Sequence, residues 1–216
     1  MLVMIDTGIC NLSSVKNAIR RVGVPVQTGA AKADIAKADV LVLPGVGAFG
    51  EGIGALREKG LVTPIRERVL KDKVPILGIC LGMQLLATTS EEHGQHEGLD
   101  LIAGHVMKLA PSEPGFYVPN IGWCDVDPTR DNVLFPKGVE QRAFYHVHSY
   151  YLACAHAADI AATIAYSGKN IPVAVERENV FGTQFHPEKS QDAGLDLLQR
   201  FFVHLQNEGR VAIEAA

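Results

Sequence analysis

Short apolar runs alternate with helix-like spacing along the first half of the chain. "LVMI" predicts a strand, and Leu12, Val15, Ile19 and Val22 recur at the interval of an amphipathic helix that stops at Gly23. "VPVQT" predicts a second strand, "DIAKA" a short helix and "DVLVLPG" a third strand. A longer helical region from about Gly52 to Lys71 carries breaks near Gly60 and Pro64. "VPILGI" predicts a fourth strand, and "CLGMQLLATTS" the helix after it. Strands that are apolar almost throughout and separated by helices indicate a parallel sheet covered on both faces.

From about Gly98 the pattern changes. "LIAGHVMKL", "RAFYHVHSYYLA", "IAATIAYS", "IPVAVERENV" and "VFGTQFH" read as strands joined by turns, whereas "PNIGWCDV" reads as turn-like. "AGLDLLQRFFVHLQN" closes the pattern with an amphipathic helix. The expected fold is α/β: a doubly wound, mostly parallel sheet with helices on both faces and an antiparallel extension in the C-terminal half. It is expected to form one domain over residues 1–206, with a loose tail at 207–216.

Composition narrows the class. A chain of 216 residues can bury a proper core. A net charge of -4 gives no basic footprint for nucleic acid. The longest apolar runs are too short to span a bilayer, and "MLVMIDTG" lacks the positive start of a secretion signal. Cys10, Cys80, Cys124 and Cys154 form no C-x-x-C pair, which suits reduced thiols in a cytoplasmic protein.

The candidate chemistry begins at Gly78-Ile79-Cys80-Leu81-Gly82, which has the spacing of a nucleophile elbow with sulfur as the nucleophile. A cysteine needs a base, and the base needs an orienting partner. "GTQFHPE" offers His186 and Glu188 on alternate positions of an extended segment, with Pro187 biasing His186 towards an extended backbone. The loop "PGVGAFGEG" matches G-x-G-x-x-G at Gly45, Gly47 and Gly50. It follows the third strand rather than the first and has no acid-ended strand at the right distance, so a dinucleotide cradle fits it poorly. Beside a cysteine elbow, bare N–H groups that receive an oxyanion are the better use. His93-x-x-His96 and His146-x-His148 lack an obvious third ligand, and neither a metal nor another cofactor is expected.

These residues together resemble the class I, triad-type glutamine amidotransferases. "IDTGICNLSSVKNAI", "LPGVGAF", "GICLGMQLL", "IGW", "VHSYY" and "FGTQFHPEKS" are further similar to the glutaminase subunits of imidazole glycerol phosphate synthases, of histidine biosynthesis. The resemblance implies hydrolysis of L-glutamine, with Cys80 as nucleophile, His186 as base and acid, and Glu188 orienting His186. It implies an oxyanion hole from Leu81 and from Gly45, Val46 and Gly47. Gln84, Glu92, Ser149 and Tyr150 match glutamine-binding positions, and Asn11, Trp123, Tyr145 and Lys189 match positions near the partner. That partner is a (β/α)8-barrel cyclase subunit, joined as a heterodimer. The chain departs from the usual pattern at Asn120, Cys124 and His146, which leaves open a related synthase such as one that amidinates surface sugars. A stand-alone cysteine hydrolase and a non-catalytic regulatory subunit are the other readings of the same residues.

Overall fold

The computed structural model describes residues 1–8, 10–138 and 142–214. The first part of the chain runs β1 (Leu2–Ile5), α1 (Leu12–Arg21), β2 (Val26–Gly29), α2 (Lys32–Lys37), β3 (Val40–Gly45), α3 (Phe49–Glu58), α4 (Val62–Leu70), β4 (Ile76–Cys80) and α5 (Leu81–Leu85). It continues as β5 (Ala87–Ser90), β6 (His96–Glu97), β7 (Ile102–Lys108), β8 (Asn120–Pro128), β9 (Arg142–His148) and β10 (Tyr150–Cys154). The chain ends with β11 (Ile160–Tyr166), β12 (Lys169–Arg177), β13 (Val180–Thr183) and α6 (Gln191–Asn207).

One sheet has the order β2-β1-β3-β4-β13-β12-β11-β8-β9. It is parallel from β2 through β13 and antiparallel beyond. Alternation along β1 shows why its strands read as continuous apolar runs. Leu2 and Met4 join one core with Ile19, Phe201 and Phe202, while Val3 and Ile5 join another with Ile35, Ile53 and Ile65. Both faces are buried, so no polar alternation is needed. Among the described residues, no helix is long and apolar enough to cross a membrane.

The structure departs from the sequence expectations at several elements. The helix expected over "CLGMQLLATTS" ends at Leu85, and Ala87–Ser90 becomes β5 of a second sheet with order β10-β7-β5-β6. Thr88 and Thr89 are β-branched, and pairing with β7 outweighs a further helical turn. The turn-like "PNIGWCDV" lies largely in β8, which alternates half-buried and exposed positions from Asn120 to Asp125. "RAFYHVHSYYLA" is two strands in different sheets, divided at Ser149, whose carbonyl accepts from Leu109 N–H at 2.8 Å. Finally, only Gly60 (φ +64°) breaks the α3–α4 region. Pro64 sits in the first turn of α4, where helix N–H groups lack partners anyway.

Among the described residues beyond Asn207 there is no regular element, yet Val211 and Ile213 pack partly buried against the core. The Glu214 N–H donates to Gly23 O at 2.8 Å.

Candidate active site

The site forms at the carboxyl ends of β3, β4 and β13, where open α/β sheets present their ligands. Cys80 ends β4 and begins the turn into α5 with φ +55° and ψ -111°, a backbone that a side-chain-bearing residue keeps only when its surroundings force it. The forcing is steric. A Cβ at Gly78 would lie 2.6 Å from Gly82 O, and a Cβ at Gly82 would lie 1.7 Å from Leu43 O. Gly182 pairs directly with Gly78 across β13 and β4, and a Cβ there would meet Met83 at 2.8 Å. Helix α5, whose own Gly82 lies against Leu43 O, therefore seats in a notch formed by Gly78 and Gly182, and the turn holds Cys80 in the wall of a cavity of about 270 Å³.

His186 reaches the same cavity from the segment after β13. Its N–H donates to Tyr145 O at 3.0 Å and its carbonyl accepts from Ser190 Oγ at 2.7 Å. His186 is extended (φ -101°, ψ 97°), as expected beside a proline, but Glu188 does not continue the extended segment. Pro187–Lys189 form a 3₁₀ turn that brings the carboxylate back, with Glu188 Oε1 2.8 Å from His186 Nδ1 and both side chains 3% exposed. The carboxylate accepts, so Nδ1 carries the proton and Nε2 is left for Cys80. Burial disfavours the charged ring. Hydrogen bonds to Cys80 and Glu188, together with their negative charge, outweigh it and raise His186 to about 9.

Gln84 and Glu92 also line the cavity. Gln84 Nε2 donates to Tyr150 O (3.0 Å) and to Gln184 Oε1 (2.9 Å), and Gln184 Nε2 approaches Cys80 Sγ at 3.8 Å. Glu92 Oε2 accepts from the Phe49 N–H at 2.7 Å, which caps the first turn of α3 and fixes the end of the Gly45–Gly47 loop. Gly45 is in register with Cys80, and Gly47 (φ +91°) turns the loop beside Leu81. Ser149 and Tyr150 line the opening, as does Lys189.

Asn11 accepts from Ser14 N–H at the start of α1 and lines a small crevice with Lys189 and Glu188. Trp123 is 49% exposed and meets Tyr145 edge-on at 6.1 Å, away from the cavity. Gln184 and His148 also belong to the site, beyond the residues to which the sequence motifs point. Gln184 precedes His186 by the strand period of two, the signal that would have found it. Among the described residues, no group of three or more His, Cys, Asp or Glu could hold a metal ion.

Residues 3–205 match the family model for glutamine amidotransferase class-I, and the chain belongs to that family. Within it, the chain is 44% identical over 205 residues to the imidazole glycerol phosphate synthase subunit HisH of Salinibacter ruber, covering 93% of each chain. It is 45% identical over 203 residues to the HisH subunit of Moorella thermoacetica, again covering 93% of each. A crystal structure of a glutamine amidotransferase superposes with a TM-score of 0.73 at 19% identity, over 95% of this chain and 98% of that one. At that identity the likeness concerns the fold.

Proposed function

We propose that the chain is the glutamine-hydrolysing subunit of an imidazole glycerol phosphate synthase. The Cys80 thiolate attacks the carboxamide carbon of L-glutamine, and the developing oxyanion is met by the N–H of Leu81 and one N–H of Gly45-Val46-Gly47. Protonated His186 gives its proton to the departing ammonia. It then takes one from water, which cleaves the γ-glutamyl thioester to glutamate and restores the thiolate. Gln84, Glu92, Ser149 and Tyr150 hold the amino-acid end of the substrate. Asn11, Trp123, Tyr145 and Lys189 face a (β/α)8-barrel cyclase subunit that uses the ammonia. The four free thiols fit a reducing, cytoplasmic setting.

The observation that carries this reading is the buried Glu188–His186 pair directed at Cys80 on a positive-φ turn, in a chain with HisH relatives across 93% of its length. The departures at Asn120, Cys124 and His146 join His148 in one hydrogen-bonded cluster, with His146 fully buried and Asn120 and Cys124 half-buried. This favours the histidine-pathway acceptor over a remodelled partner face. Glutamate release is measured with the purified chain alone and with a histidine-pathway cyclase subunit plus its nucleotide ligand, with Cys80→Ala as blank. The expected result is weak release alone and a large rise in the mixture. No Cys80-dependent release in either would overturn the reading.

A further inference from the structure

We infer that His148 is a positioning residue for glutamine: its Nδ1–H and the Gln84 amide jointly fix the Tyr150 carbonyl, and through it the Ser149–Tyr150 wall of the pocket. The inference rests on the function proposed above.

The need for such a device follows from topology. At Ser149 the chain leaves one sheet for the other. Ser149 O takes the Leu109 N–H, so the next pair, Tyr150 with Lys108, is a non-hydrogen-bonded one. The N–H and carbonyl of Tyr150 therefore point away from β7, and no ladder holds that peptide. Two side chains do so instead, both lining the cavity. His148 Nδ1 lies 2.9 Å and Gln84 Nε2 3.0 Å from Tyr150 O, which uses both lone pairs of the carbonyl.

The His148 ring is itself fixed. A carbonyl can only accept, so Nδ1 carries the hydrogen and the neutral ring's Nε2 must accept. Two donors meet it, Asn120 Nδ2 and His146 Nδ1, each at 3.3 Å. His148 is 5% and His146 0% exposed. Burial keeps His148 neutral, lowering it to about 4, with the Tyr150 bond opposing the shift and the charge of His186 assisting it. The same carbonyl is joined through Gln84 and Gln184 to the Cys80 sulfur. One buried relay thus spans the positions where the chain departs from its family and the atom that attacks.

Two variants of similar polarity separate positioning from mere packing. His148→Asn places an amide donor where Nδ1 stands, whereas His148→Gln places it nearer Nε2. Each is assayed in the complex with the cyclase subunit and nucleotide ligand, with L-glutamine varied. His148→Gln should raise KM about tenfold, the effect of losing one hydrogen bond, with kcat changed less than about threefold. His148→Asn should stay within about threefold of wild type in both. Equal KM values for the two variants, or a loss confined to kcat, would overturn the inference while an active wild type leaves the glutaminase reading intact. A wild type without Cys80-dependent release overturns both.

Discussion

Gly82→Ala tests whether sterics alone build the nucleophile turn. The added Cβ would stand 1.7 Å from Leu43 O, where real contacts stay beyond 3.0 Å, so β3 and α5 must part by more than an ångström. Neither side can yield cheaply, since the clash is with backbone and both β3 and α5 are buried throughout. Overpacking of this kind costs about 1–3 kcal/mol of stability. The same displacement separates Leu81 from the Gly45–Gly47 loop, and a misplacement near 1 Å costs about 100-fold in rate. Gly54→Ala is the matched control. It lies inside α3 with nothing within 4 Å of its Cβ, and should stabilise by about 1 kcal/mol without touching turnover. Urea unfolding and saturating glutaminase rates of both variants decide the matter. A Gly82→Ala protein with wild-type kcat and midpoint would refute the steric account.

Glu188→Gln removes the partner of His186 Nδ1 and should lower kcat about 1000-fold while leaving KM for glutamine within a few-fold. Stability should peak near the ordinary histidine value. His186 is raised from 6.5 to about 9, so its contribution is complete below 6.5 and lost as pH rises to about 9. His146 and His148 are lowered from 6.5 to about 3 and about 4, first by burial, so their neutral burial is costless above 6.5 and destabilises as pH falls. Urea midpoints that keep rising from pH 6.5 to about 9 would contradict the sign for His186, and midpoints that fall from about pH 4 to 6.5 would contradict the sign for His146 and His148. His146→Phe removes a buried ring nitrogen, Nε2, that has no partner among the described residues and packs against Phe185. It also removes the Nδ1 donor to His148 Nε2, which keeps Asn120 Nδ2, so two opposing effects of about 1 kcal/mol each should leave the urea midpoint nearly unchanged at constant m-value.

The strand–helix alternation of the first half was legible because burial on both faces leaves uninterrupted apolar runs between helical repeats. The turn at Cys80 was legible because its glycines sit where no side chain fits. What stayed hidden depends on contacts distant in sequence. Ala87–Ser90 is a strand because Ile102 and His105 pair with it, and Ser149 divides two sheets because Leu109 claims its carbonyl. Turn-forming Asn120 and Gly122 masked the alternation of β8, which shows once β9 lies beside it. Glu188 reaches His186 through a 3₁₀ turn, so the pair was found although the geometry joining them differed from a simple strand period. Gln184 meets Gln84 across 100 residues of sequence, which no local pattern encodes, and His148 meets the carbonyl only two residues on because the chain changes sheet at Ser149 between them.

The glycine notch under α5 also bears on how the sheet assembles. In a parallel sheet that is apolar on both faces, sliding a strand by one residue exposes nothing greasy, so burial says little about which residues should lie side by side. Gly78 and Gly182 face each other beneath the helix, and a slip of either strand would push a side chain into the space α5 occupies. The notch thus works as a key for strand alignment. A folding chain that misaligns β4 and β13 loses the seat for its cysteine in the same error, so correct pairing and an assembled site are reached together.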